Sequence, residues 1–285
     1  MTDLDRMRSE EPLPMVDPLA DQQPSSRVPW LALALLVLAV AAAGWWWAPW
    51  SQQSPAESVG RVALEPAPAR SEVGPRLGAG AADPDLPSLA AMDAYLRPLL
   101  AGLSARPELA ALLASDDLVR RFVVSVETVA RGASPAAQVR QVAPRASFAT
   151  RGDGAALQID PASYSRYDGL VTMVEDLDPE QLAQLYGRLE PRLEEAHGEL
   201  GVKGSFDQTM ERALGHLLST PSLPAQPHVK VGKGTAYVYA DPTLEALSPA
   251  QRQLLRLGPE RAARVQARLR AFARALGISE DRLRG

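Results

Sequence analysis

The chain has 285 residues, 46% hydrophobic and 22% charged, with a formal net charge of −4 and no cysteine. The missing cysteine excludes disulfides and thiol chemistry and leaves the redox compartment open. The charge excludes a uniformly basic nucleic-acid binder. Residues 83–248 hold 15 basic and 22 acidic residues, and only residues 249–285, nine Arg against Glu260, Glu280 and Asp281, are basic.

Residues 1–27 form a short polar tail with three basic and six acidic residues. Val28–Trp50, VPWLALALLVLAVAAAGWWWAPW, carries no charge over twenty-three residues. At about 1.5 Å per residue, such a helix crosses a hydrocarbon core of about 30 Å. Trp45, Trp46, Trp47 and Trp50 crowd its far end, where indole rings favour the headgroup zone. The span predicts a single-pass transmembrane helix. Arg27 abuts its start, and the next basic residue beyond its end is Arg61. The positive-inside rule then places the tail in the cytoplasm, the anchor in the inner membrane and the rest in the periplasm. A cleaved signal peptide ending near Ala41–Ala43 is the alternative. Residues 51–82 are rich in Pro, Ala and Gly and poor in large apolar residues, which reads as a flexible stalk.

Residues 83–285 are long enough for a domain with its own core. Leu89, Met92, Leu96 and Leu99 form a helical stripe, with Ser88 as its cap. A short helix over Pro107–Leu113 follows. Ser115 is read as the cap of the next segment, where Val119, Phe122, Val123, Val126 and Ala130 recur at helical spacing and Gly132 marks a stop. Residues 133–146 read as a loop. Residues 148–151 and 156–160 flank Gly-Asp-Gly as a β-hairpin, and residues 228–231 and 235–240 form a second around Gly232-Lys233-Gly234. Asp160-Pro161, Asp178-Pro179, Asp241-Pro242, Ser248-Pro249 and Gly258-Pro259 each read as a helix start, since proline at the first helical position leaves no N–H unpaired. Phe206–Leu218 is a further amphipathic helix. The fold class is α+β: mostly helical, with two hairpins that can join as one small sheet.

Catalytic signatures are sparse. His197, His216 and His228 show no HExxH pattern or metal-ligand spacing, so no metal and no cofactor are expected. Gly232-Lys233-Gly234-Thr235 lacks the upstream glycine and following helix of a phosphate-binding loop. Carboxylates abound, but a catalytic pair cannot be selected among them.

Two clusters remain as binding candidates. Tyr164, Arg166, Tyr167 and Asp168 combine aromatic surface with donors and acceptors for a sugar or peptide, and Tyr164, Tyr167, Val171 and Val174 fall on one helical face. The same spacing is equally that of a tyrosine-containing core stripe. Arg261, Arg264 and Arg268, with Arg270 and Arg274, lie on a helix whose other side is Val265, Leu269, Phe272 and Leu276. They are either a solvated face of a packed helix or contacts to an anionic surface.

RRFVVSVETVARG (120–132), IDPASYSRYDGLV (159–171) and YVYADPTLEALSPAQRQLLRLGPERAARV (237–265) resemble a family of Gram-negative envelope proteins carrying a domain of unknown function. The resemblance spans residues 84–276. It implies an N-terminal inner-membrane helix and a periplasmic domain, and no activity or catalytic residue. The expected function is non-enzymatic binding of an envelope protein or cell-wall component, with no nucleic-acid partner. An envelope hydrolase using paired carboxylates is the alternative.

Overall fold

Helix starts are set by local chemistry more than by hydrophobic pattern. A computed structural model describes residues 76–78, 85–232 and 237–284. The polar tail, the uncharged span and most of the stalk lie outside the described residues. Among the described residues no helix is long and apolar enough to cross a membrane.

The helices are α1 (Met92–Ala101), α2 (Pro107–Leu113), α3 (Leu118–Ala130), α4 (Ala162–Ser165), α5 (Asp168–Asp176), α6 (Pro179–Glu199), α7 (Phe206–Leu218), α8 (Pro242–Glu245), α9 (Pro249–Leu255) and α10 (Pro259–Ala275). Proline occupies the first turn of α2, α6, α8, α9 and α10. Asp178 accepts from the Gln181 N–H at 2.8 Å, and Ser248 from the Gln251 N–H at 3.1 Å. Gln251 returns the bond to the Ser248 N–H, completing a capping box.

Several starts differ from expectation for tertiary reasons. Ser115 does not cap α3. Asp117 precedes that helix in a left-handed conformation, φ 57°, and Asp93 of α1 accepts from the Asp117 and Leu118 N–H groups at 2.8 and 3.0 Å. A carboxylate 24 residues away thus satisfies the orphan donors that a local cap would have taken. Ser88 precedes a 3₁₀ turn, Leu89–Ala91, without a side-chain cap. Leu99 is 38% exposed, and Leu100 completes the buried stripe instead. The expected loop at 133–146 contains a 3₁₀ stretch, Pro135–Val142.

The helical core is built on α3 packed against α6 and α7, with α10 packed on α5, α6 and α7. Phe122 and Phe206 meet edge to face at 5.7 Å. Val265, Leu269, Phe272 and Leu276 all face this core. Leu77, inside the segment read as stalk, is also buried in it. The Leu77 N–H donates to Asp207 Oδ2 at 3.1 Å, and the Gly78 N–H to the Leu276 carbonyl at 3.1 Å. The chain therefore joins the domain by residue 76, ahead of the expected boundary at residue 83.

The hairpins are short. β1 (Thr150–Arg151) pairs antiparallel with β2 (Gln158–Ile159), and β3 (Val229–Val231) with β4 (Tyr237–Tyr239). They remain two separate two-stranded sheets. A single bridge, Gln158 to His228, and the Val229 N–H on the Leu157 carbonyl at 3.0 Å hold them side by side. A second, smaller apolar cluster lies beneath them, made by Ile159, Tyr164, Leu223, Val229, Tyr239, Leu244 and Leu255.

Candidate functional site

The small apolar cluster does not close. A cavity of about 280 Å³ opens between the two hairpins, the loop at 143–148 and the face of α9. That volume is close to the lower end of small-molecule sites, about 300 Å³. Phe148, Tyr164, Tyr237 and Tyr239 supply aromatic surface, and Arg145, Arg166, Arg252 and Arg256 line the same space.

Each side chain arrives from a different element. Alternation in Tyr237-Val238-Tyr239 puts both tyrosines on one face of β4. A spacing of four brings Arg252 and Arg256 to one side of α9. Tyr164 sits on α4, a single turn started by Asp160, whose Oδ1 accepts from the Ala162 N–H at 2.8 Å. Ser163, next to it, fastens the 143–148 loop: its hydroxyl donates to the Ala149 carbonyl and accepts from the Ala149 N–H, both at 2.8 Å.

The polar groups are unevenly satisfied. Arg252 forms an ion pair with Glu245, whose other oxygen accepts from the Tyr239 N–H at 2.9 Å. Arg256 donates to Gln253 Oε1 at 3.0 Å and pairs with no carboxylate among the described residues. Burial pushes the Arg256 pKa down, and the nearby Arg252 and Arg166 charges push the same way. Arg166 lies over the rings of Phe148 and Tyr167, 5.3 and 5.0 Å from their centroids. Its Nε, and the hydroxyls of Tyr164 and Tyr239, are buried without a hydrogen-bond partner among the described residues. Burial pushes the Tyr164 pKa up to about 12 and raises that of Tyr239 as well, so both phenols stay protonated donors at neutral pH.

The expected cluster is split. Tyr164 and Arg166 line the cavity, but the break between α4 and α5 sends Tyr167 into the helical core, where it is 1% exposed. Asp168 is exposed on the far side and pairs with Arg261. Part of the basic face of α10 is likewise bonded to α5, while Arg270 and Arg274 are exposed. Arg264 pairs with Glu175, and Arg268 donates to the Glu175 carbonyl. These are contacts to α5, which the sequence pattern left as a choice between solvent and an anionic surface. Phe148, Tyr237, Tyr239, Glu245, Arg252 and Arg256 were not anticipated. The YVY alternation and the Arg spacing of four were the available signals.

Each histidine meets a neighbouring polar side chain. His197 is buried 3.8 Å from Glu127 and 3.3 Å from the Thr209 hydroxyl. His216 meets the Ser248 hydroxyl at 2.7 Å, and His228 meets the Gln158 side chain at 3.1 Å. Among the described residues no group of three His, Cys, Asp or Glu side chains is placed to hold a metal.

No curated protein and no solved structure matches this chain. A family model, protein of unknown function DUF3014, matches residues 118–273. That stretch holds α3 through most of α10 and every side chain named above as facing the cavity. The chain belongs to the DUF3014 family.

Proposed function

We propose that this chain is a non-enzymatic binding module, tethered to the inner membrane by residues 28–50, whose periplasmic domain holds part of an envelope protein or cell-wall component in the cavity between its hairpins. The observation that carries the reading is the state of the cavity's polar groups. The Tyr164 and Tyr239 hydroxyls and Arg166 Nε are buried and unpartnered, although buried polar groups are nearly always satisfied. Leaving each of them so costs about 1–3 kcal/mol. A ligand that pairs with them would offset that cost. The uncharged span and Arg27 support the tether and its orientation.

The hydrolase alternative finds little support here. Glu245 is the one carboxylate lining the cavity among the described residues, and both its oxygens are engaged. The carboxyls whose pKa burial raises, Glu194 and Glu211, lie elsewhere: Glu194 accepts from the Phe206 N–H at 2.7 Å, and Glu211 pairs with Arg282.

The test is capture in cells. A photo-crosslinking amino acid replaces Phe148 at the cavity mouth of the full-length chain. One ultraviolet-dependent adduct, absent when Arg256→Met is added, is the expected result. No adduct from position 148 would refute the reading.

A further inference from the structure

The charge balance of the cavity, taken with the binding reading on which this inference rests, indicates what it would hold. Arg145, Arg166, Arg252 and Arg256 line the cavity with one carboxylate, Glu245, leaving three positive charges. Both Glu245 oxygens already accept, one from the Arg252 guanidinium and the other from the Tyr239 N–H. Arg166 Nε and the Tyr164 and Tyr239 hydroxyls, buried and unpartnered on residues that line the cavity, can all donate. A site with surplus donors and surplus positive charge discriminates against neutral ligands and cations and accepts oxyanions.

These groups also stand close together. Tyr164, Arg166, Tyr239, Arg252 and Arg256 all line one cavity of about 280 Å³. A compact ligand can therefore meet several of them at once. Guanidinium forks suit a phosphoryl group, which concentrates two charges and three acceptor oxygens on one centre. The phenols add neutral donors from α4 and β4.

We infer that the cavity is a phosphomonoester site, in which Arg166 and Arg256 neutralise the dianion and the Tyr164 and Tyr239 hydroxyls donate to its oxygens. The aromatic surface of Phe148 and Tyr237 at the mouth faces whatever bears the phosphoryl group. The same chemistry fits free phosphate and an esterified phosphate.

The experiment is calorimetric titration of the full-length chain in detergent micelles with inorganic phosphate, glycerol phosphate, succinate and acetate. Phosphate or glycerol phosphate should bind at least tenfold tighter than acetate and tighter than succinate. Tighter glycerol phosphate identifies an esterified source, and equal or tighter inorganic phosphate a free one. Arg166→Gln should weaken phosphate binding at least tenfold, and Tyr239→Phe, which keeps the ring, at least threefold with an unchanged melting temperature. Succinate binding as tightly as phosphate, or phosphate binding undiminished in Tyr239→Phe, would overturn the inference. If the Phe148 crosslink forms while none of these anions binds, the cavity is a binding site for another chemistry. If neither occurs, the binding reading falls as well.

Discussion

The ring of Tyr164 lies flat against the backbone of Gly258. A Cβ on Gly258 would stand 2.6 Å from the Tyr164 Cγ and 2.8–2.9 Å from its neighbours. Gly258 is also left-handed, with φ 87°, at the turn between α9 and α10. One backbone position thus fixes the wall of the cavity and the start of the longest C-terminal helix.

Gly258→Ala should therefore be more damaging than a left-handed glycine alone predicts. Gly277, with φ 81° and no atom within 4 Å of where a Cβ would stand, is the internal control. At Gly277 the left-handed strain is about 1–2 kcal/mol, and at Gly258, where ψ 164° lies in a region only glycine populates, the backbone alone costs about 1–3 kcal/mol. Gly258→Ala must also displace the Tyr164 ring, adding about 1–3 kcal/mol, the usual cost of overpacking. Urea denaturation of the two variants measures the difference. Equal losses would show that Tyr164 yields freely.

Leu77 should behave as a core residue. It is 2% exposed and fastened through its N–H to Asp207, which also accepts from the Tyr186 hydroxyl at 2.6 Å. Leu77→Ala should cost about 2–5 kcal/mol, the range for a buried leucine. A fragment starting at residue 83 should melt below one starting at residue 71. Identical melting temperatures would return residues 76–78 to the stalk.

Stability should fall as the pH drops below that of neutral solution. Burial lowers the His197 pKa below 6.5, more than Glu127 raises it, with Arg212 and Arg131 also lowering it; burial lowers that of His216. A folded-state value below the unfolded one means the unfolded chain takes up the proton first. The contribution is therefore complete above about pH 6.5 and is lost as the pH falls through that value. The raised carboxyls Glu194 and Glu211 act in the opposite sense, nearer their own ordinary value of 4.5. Melting temperatures of the full-length chain should fall from about pH 7.5 to about pH 5.5. The double variant His197→Gln, His216→Gln should flatten that slope, and an unchanged slope would assign it elsewhere.

Topology follows from residues 27–61. With Arg27 at one end of the uncharged span and Arg61 the first basic residue past the other, a reporter fused after Gly285 should be active only if it functions in the periplasm. Activity of a cytoplasm-specific reporter alone would reverse the orientation.

Local chemistry was legible in the sequence and convergence was not. Asp178-Pro179 and Ser248-Pro249 announce their helices because cap and proline act within four residues. The Val265, Leu269, Phe272 and Leu276 stripe announces its buried side because one helix carries all of it. Asp93 capping α3 depends on two helices meeting, which no spacing records. Tyr164 and Tyr167 share a helical face on paper. In the fold a one-turn helix ends between them, so one tyrosine reaches the cavity and the other the helical core. Arg166 was identified by its aromatic neighbours, whereas Arg252 and Arg256, about 90 residues further on, meet it only through tertiary packing.

Arg256 separates a binding site from a structural polar network most directly. A structural arginine loses several kcal/mol of stability when removed, because its partners are left buried and unpaired. A guanidinium kept for a ligand is itself an uncompensated charge, so removing Arg256 strands only Gln253 Oε1, to which it donates. The decisive measurement is the unfolding free energy of Arg256→Met together with crosslinking from position 148. A ligand-holding Arg256 predicts no loss beyond the about 1–3 kcal/mol of leaving Gln253 Oε1 buried and unpaired, with the adduct abolished. A loss of about 3 kcal/mol or more, or a surviving adduct, would contradict that role.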